Sequence, residues 1–326
     1  MRRFTMSFVA TAALLFALPS AAGAQALGQL FIEVFDESGE PVIDLRPGDF
    51  TIRENGQDVR VESAELDPVG REPMKVALLV HNGVMTGVES LTVGGGAVDQ
   101  GGPVPGVTLN LGTSGDTGAV NQLRAGVVTF LETLPPSHEV GLFTIGGTIQ
   151  RRVDFTTDRD ELKEAAERIF VEQSPGVIML DGVKETWERR YDDGDRFPVF
   201  VLVLTDGPEG SSSYSENDYV ELMTDLVQNN VTIHVVLVSM GGSIVSQYAL
   251  NMTQITGGTY QNLAIPRGLA NALQEVATRM GEHYEQVSNR HHVIFRRADP
   301  PGDQFEVYVD REDVDVRVFA DRRMAQ

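Results

Sequence analysis

The feature that most constrains this chain is a set of four nearly unbroken apolar runs, at residues 75–80, 140–145, 198–204 and 232–238. Strands that are apolar on both faces belong in a parallel sheet covered by helices. The intervals between them carry amphipathic helical spacing at 123–134, 158–170, 178–189, 217–228, 244–255 and 268–287. In the second of these, Asp158 is placed to cap the helix and Glu161 to reach back to it. Leu162, Ala165, Ala166 and Ile169 form its apolar stripe. This alternation predicts an α/β fold with a doubly wound, mostly parallel Rossmann-like sheet.

The flanks read differently. Residues 30–35, 50–54 and 59–64 have strand character, with the tight-turn pair Asn55-Gly56 after the second. Residues 292–296, 304–309 and 314–319 read the same way, split by Pro300-Pro301-Gly302 and by residues 310–313. Neither flank is long enough to bury a good core alone. The expectation is a small antiparallel β-sandwich built from both, residues 25–70 and 288–326, with the α/β block at 74–285 inserted between them. A stretch at 86–118, rich in Gly, Ser, Val and Thr, is expected to be a structureless insertion.

Arg2 and Arg3, an apolar run at 8–18 and the small residues Ala22-Gly23-Ala24 have the layout of a secretory leader, residues 1–24. The run is too short to span a bilayer, where ~20 residues are needed. Export to the periplasm or the extracellular space is therefore expected, with no membrane span in the mature chain. There are no cysteines, which excludes disulfides, thiolate metal sites and thiol catalysis. The formal net charge of −21 argues against nucleic acid and anionic lipid as partners. It attracts divalent cations only diffusely, because specific binding needs a constellation of ligands.

No Gly-x-Ser-x-Gly elbow, His-Glu-x-x-His pair or P-loop is present, so no catalytic residue is assigned and an enzyme is not expected. Gly241-Gly242-Ser243 follows a strand and opens a helix, a weak anion-binding signal. Asp192-Asp193-Gly194-Asp195 lacks the spaced oxygens of a calcium loop and reads as a solvated turn. His291 and His292 are strand neighbours that face opposite ways, and a surface role is expected for them. Trp187 is expected to pack in the core. Asp206, in Thr205-Asp206-Gly207, is read either as a loop cap or as a ligand at the end of a strand.

The segment Asp36-Glu37-Ser38-Gly39-Glu40-Pro41-Val42, followed by Leu45, Asp49-Phe50 and Glu54-Asn55-Gly56, resembles the region that precedes the von Willebrand factor A (VWA) domain in bacterial VWFA-related proteins. The later blocks fit in order, from the strand at 74–80 to Thr205-Asp206-Gly207. The resemblance implies a crevice at the carboxyl ends of the central strands, where VWA domains hold a divalent cation with Asp-x-Ser-x-Ser, a Thr and an Asp. This sequence departs from that pattern. Val80 stands at the first Asp, Asn82 and Val84 at the two Ser, and Val177 at the Thr; only Asp206 is kept, with His81 alongside.

Valine cannot ligate, so the usual ion is not expected, and Asn82 with Asp206 is at most a remnant site for Mg²⁺ or Ca²⁺. The expected crevice is His81, Asn82, Gly83, Val177 and Asp206, with an apolar rim that packs against a protein partner. Two alternatives remain open. One is a cation-dependent adhesin whose site is rebuilt with Asp99 or Asp116. The other is a scaffold in which the β-sandwich binds and the α/β block is a spacer.

Overall fold

The computed structural model describes residues 26–67, 72–83, 91–93, 107–109, 117–172, 176–192, 197–205, 208–211, 215–239 and 243–320. The expected leader lies outside the described residues, as do Val84, Asp99, Asp116, Asp193, Gly194, Asp195, Asp206, Gly207, Gly241 and Gly242.

The first segment contributes β1 (Leu27–Phe35), β2 (Phe50–Glu54), β3 (Gln57–Val59) and β4 (Val61–Leu66). Next come β5 (Lys75–Val80), β6 (Leu91–Val93), β7 (Val107–Leu109), α1 (Thr117–Thr133), β8 (Glu139–Ile145) and β9 (Ile149–Thr156). They are followed by α2 (Arg159–Glu167), α3 (Met179–Arg190), β10 (Pro198–Thr205), α4 (Glu216–Gln228), β11 (Thr232–Val238), α5 (Ile244–Thr256) and β12 (Tyr260–Leu263). The chain closes with α6 (Leu269–Ser288), β13 (His291–Arg296), β14 (Phe305–Val309) and β15 (Asp315–Phe319). The described residues between 73 and 281 form one compact unit, and those between 26 and 72 form another with those from 282 to 320.

The unit at 73–281 is built on a six-stranded sheet in the order β12-β11-β10-β5-β8-β9. All neighbours are parallel except β8 and β9. The central strands are the four apolar runs, and every residue of β10 is buried. The chain starts in the middle at β5, winds outward to β9, and returns to add β10, β11 and β12 on the other side. The doubly wound switch point therefore lies between β5 and β10.

Helix α2 is capped by Asp158, whose carboxylate accepts from the amides of Asp160 and Glu161. Glu161 does not reach back; Thr156 Oγ1 takes the Asp158 amide at 3.0 Å instead. Leu162, Ala166 and Ile169 are buried and Ala165 is half-buried. The insertion is not structureless throughout, because β6 and β7 pair within it as an antiparallel hairpin.

The other unit is a sandwich of a four-stranded sheet, β15-β1-β13-β4, and a three-stranded sheet, β14-β2-β3. Its core takes alternate residues from both layers: Leu30, Ile32 and Val34 from β1, Phe50 and Ile52 from β2, Val293 and Phe295 from β13. Asn55 (φ 49°) and Gly56 (φ 78°) make the two-residue turn between β2 and β3, with both φ values positive as such a hairpin requires. The single strand expected at 59–64 is broken at Arg60. There the chain passes from β3, paired with β2, to β4, paired with β13 in the opposite sheet.

His291 corrects another expectation. It is fully buried, with its ring 5.5 Å from that of Phe50. His292 faces the other way and stacks on Phe31 at 4.9 Å. Trp187, expected to pack in the core, packs against its edge, half-buried, and its Nε1–H donates to Asp225 at 2.6 Å.

Candidate functional site at the carboxyl ends of β5 and β10

The switch point is closed by the chain's own side chains. The ladder continues one residue beyond β5, with the His81 amide donating to the Val203 carbonyl at 2.8 Å. The imidazole then crosses the switch point, and its Nδ1 is hydrogen-bonded to Thr205 Oγ1 at the end of β10. His81 is 3 % exposed. Burial pushes its pKa down to about 4, only partly offset by the Gly176 backbone, so the ring is neutral at pH 7.

Asn82 is buried as well. Its amide nitrogen donates to the Phe170 carbonyl at 2.9 Å, and its backbone carbonyl accepts from the Glu172 amide at 2.8 Å. Gly83 pairs with Glu172 in a parallel bridge. The bond to Phe170 fixes the amide orientation and turns Asn82 Oδ1 away from it. Asn82 Oδ1 and Glu172 Oε2 are both buried and neither has a hydrogen-bond partner. They converge on Gly146, just past β8, where a Cβ would lie 2.7 Å from each oxygen. Gly146→Ala is accordingly expected to cost about 1–3 kcal/mol, the range for overpacking, read as a lower urea midpoint at unchanged slope. Full stability in that variant would mean that the two oxygens do not converge there.

Val177 does not form an apolar rim. It is fully buried within the main core, because its backbone is tied on both sides. Its amide donates to the Pro208 carbonyl at 2.9 Å, and its carbonyl accepts from the Gly210 amide at 2.7 Å. This clamp brings Glu209 to the start of α3, where the N-cap residue Ile178 offers no side-chain acceptor. Glu209 Oε1 accepts from the amides of Met179 and Ser211, each at 3.1 Å, and from Ser211 Oγ at 2.5 Å. Ser211 Oγ accepts in turn from the Asp181 amide at 3.0 Å. A carboxylate here satisfies orphan amides and faces the positive end of the helix. Burial raises the Glu209 pKa above the ordinary carboxylate value, although these hydrogen bonds oppose the shift.

The structure thus brings His81, Asn82, Gly83 and Val177 to one end of the sheet, while Asp206 lies outside the described residues. It adds Gly146, Glu172 and Glu209, none of which carried a motif, and Thr205, which entered only as the neighbour of Asp206. The residues described there fit the usual VWA ion poorly. The His81 nitrogen is a poor ligand for a hard cation, Val177 offers none, and Glu209 gives its Oε1 to the start of α3. Among the described residues no group of three His, Cys, Asp or Glu is arranged to hold a metal. No helix of the described residues is long and apolar enough to cross a membrane.

No family model matches this sequence, and no curated protein matches it either. Solved structures similar to the chain include the von Willebrand factor type A protein from Catenulispora acidiphila, at 11 % identity and a TM-score of 0.45. That match covers 80 % of this chain and 52 % of the other, so this chain spans about half of that protein's length. BatB from Bacteroides thetaiotaomicron matches at 11 % identity and TM-score 0.43, covering 64 % of this chain and 99 % of that one. The vWF domain of the type V pili tip protein Mfa5 from Porphyromonas gingivalis matches at 11 % identity and TM-score 0.42, covering 65 % and 96 %.

Proposed function

We propose that this chain is an exported, non-enzymatic protein-interaction module of VWA type that engages a protein partner without the usual divalent cation. The observation that supports this most is the filling of the switch point from within. A neutral imidazole spans it to Thr205, Val177 is drawn into the core, and Glu209 occupies the helix end. An ion that bridges to a partner's acid needs open coordination positions and a full set of hard oxygen ligands, and at the positions of the usual site His81 and Val177 supply none. With His81, Asn82 and Val177 buried, they frame the crevice floor, and the partner contacts lie on the surface around it.

One observation favours a second reading, the cation-dependent adhesin. Asn82 Oδ1 and Glu172 Oε2 are two unpartnered acceptors aimed at one point. The same measurement decides between the two readings. Thermal unfolding of residues 25–326 is followed with and without millimolar Mg²⁺, Mn²⁺ or Ca²⁺, for the wild type, Asp206→Ala and Glu172→Gln. A ligand at a hundredfold its Kd adds ~2.7 kcal/mol to native stability. The ion-free module predicts no ion-specific shift in any of the three proteins. A wild-type shift lost in either variant establishes the adhesin reading instead.

A further inference from the structure

Helix α5 has no charged residue in its thirteen positions, alone in this among the six described α-helices of a chain that is 22 % Asp, Glu, Lys and Arg. Its outward residues include Ile244 (46 % exposed), Leu250 (42 %) and Ile255 (37 %). Ile244, Tyr248, Asn251 and Ile255 recur at helical spacing and share one flank of α5. That flank meets α4, because Tyr219 donates its hydroxyl proton to Asn251 Oδ1 at 2.7 Å and its ring lies 5.1 Å from that of Tyr248.

The flank of α4 that turns to α5 has the same spacing: Glu216, Val220, Met223 and Val227. Val220 is 56 % exposed and Val227 44 %. Asp225 marks the opposite flank, where it accepts from Trp187 on α3. The two parallel-sheet crossovers therefore leave a furrow with Val220 and Val227 on one side, Ile244 and Ile255 on the other, and the Tyr219–Tyr248 pair at its seam. Apolar residues in line, with tyrosine between them and charge confined to Glu216 at one end, are the composition of an interface core rather than of a free surface.

Charge indicates what fills it. Helix α4 carries Glu216, Asp218, Glu221 and Asp225 and no basic residue; Glu216 lies on the furrow flank, whereas Asp218, drawn to Lys184 of α3, shares the far flank with Asp225. A second copy of the chain would bring an equally acidic surface to the furrow, with a net charge of −21 on each molecule. We infer that the α4–α5 furrow docks an amphipathic helix of a partner protein, with an apolar stripe seated between the two helices and Lys or Arg flanking it toward α4. This is the helix-in-groove mode, read through anchors at i, i+3, i+4 and i+7. The inference rests on the proposed interaction module and specifies its partner's chemistry.

The test uses three synthetic peptides of about 18 residues, roughly five helical turns. One is a Leu/Lys helix with a single apolar stripe, one is its scrambled isomer, and one carries the same stripe with Glu in place of Lys. Binding to the full chain is measured by fluorescence anisotropy at 150 mM salt. The striped Leu/Lys peptide is expected to bind at least tenfold more tightly than either control. Val220→Asp with Ile255→Asp is expected to remove that preference while the thermal midpoint stays within 2 °C of wild type.

Equal binding of the three peptides overturns the inference, as does undiminished binding by the double variant. A dimer of the unmodified chain in sedimentation equilibrium that the same double variant abolishes also overturns it, because the occupant is then a second copy. None of these outcomes depends on Asp206, Glu172 or an added cation, so failure here is distinct from failure of the ion-free reading.

Discussion

Arg290→Ala is expected to destabilise the β-sandwich by about 3–5 kcal/mol, the cost of stranding a buried charge, out of a typical total of roughly 5–15 kcal/mol. Arg290 is fully buried at the end of α6, where its Nε–H donates to Glu33 on β1 at 2.8 Å; that carboxylate is 3 % exposed. The guanidinium also lies 4.0 Å over the Phe319 ring on β15. Removing the arginine leaves a carboxylate that water cannot reach, and it removes the stem and the ring contact as well. The pair itself is not the source of stability. Exchanging both partners for apolar residues of similar volume, Glu33→Leu with Arg290→Met, is expected to be neutral or stabilising, whereas either single change is costly. Amide hydrogen exchange of β1 and β13 provides the readout. A single variant with wild-type protection in those strands would show that the pair is solvated in solution.

Much of this fold was legible in the sequence because the central strands are buried on both faces. The β10 run Val199-Phe200-Val201-Leu202 admits few other environments. The edges were harder. Strand β9 carries Gln150, Arg151 and Arg152 among its first four residues and pairs on one side only, so it has little apolar signal. Strand β12 has four residues, two of them Gln261 and Asn262. The break at Arg60 was invisible because Val59 and Val61 keep the alternation across it; only pairing to different sheets separates them.

At the candidate site, chain order placed His81, Asn82 and Val177 at one end of the sheet. It did not reveal their burial, because what covers them is remote in sequence. Thr205 is 124 residues from His81, and Phe170 is 88 from Asn82. Glu209 carried no local pattern either, since its role depends on the Val177 clamp folding a loop back onto α3.

The same burial makes the α/β unit acid-labile below pH 6.5. His81 and His138 both have pKa values lowered to about 4: the first by burial, the second by burial and then by the Arg159 charge. His138 is also held as an acceptor, taking the Met74 amide at its Nδ1 at 3.1 Å. Above pH 6.5 neither the native nor the unfolded chain holds these protons, and stability does not depend on them. As pH falls, the unfolded chain takes them up near 6.5 while the native unit refuses them until about 4, so stability drops across that window and levels off below it. Each group contributes on the order of a few kcal/mol to the fall, a substantial part of the stability of a domain. Glu209, with its raised pKa, works in the opposite sense as it takes up a proton in the native state, and it blunts the drop. Trp187, the sole tryptophan, lies in this unit and reports its urea midpoint. The midpoint is expected to be flat above pH 6.5 and to collapse between 6 and 4, with His81→Gln and His138→Gln each removing about half of the pH-dependent fall. A profile unchanged by both substitutions would locate the acid sensitivity in the carboxylates instead, and with it the claim that the switch point is closed over a neutral imidazole would fail.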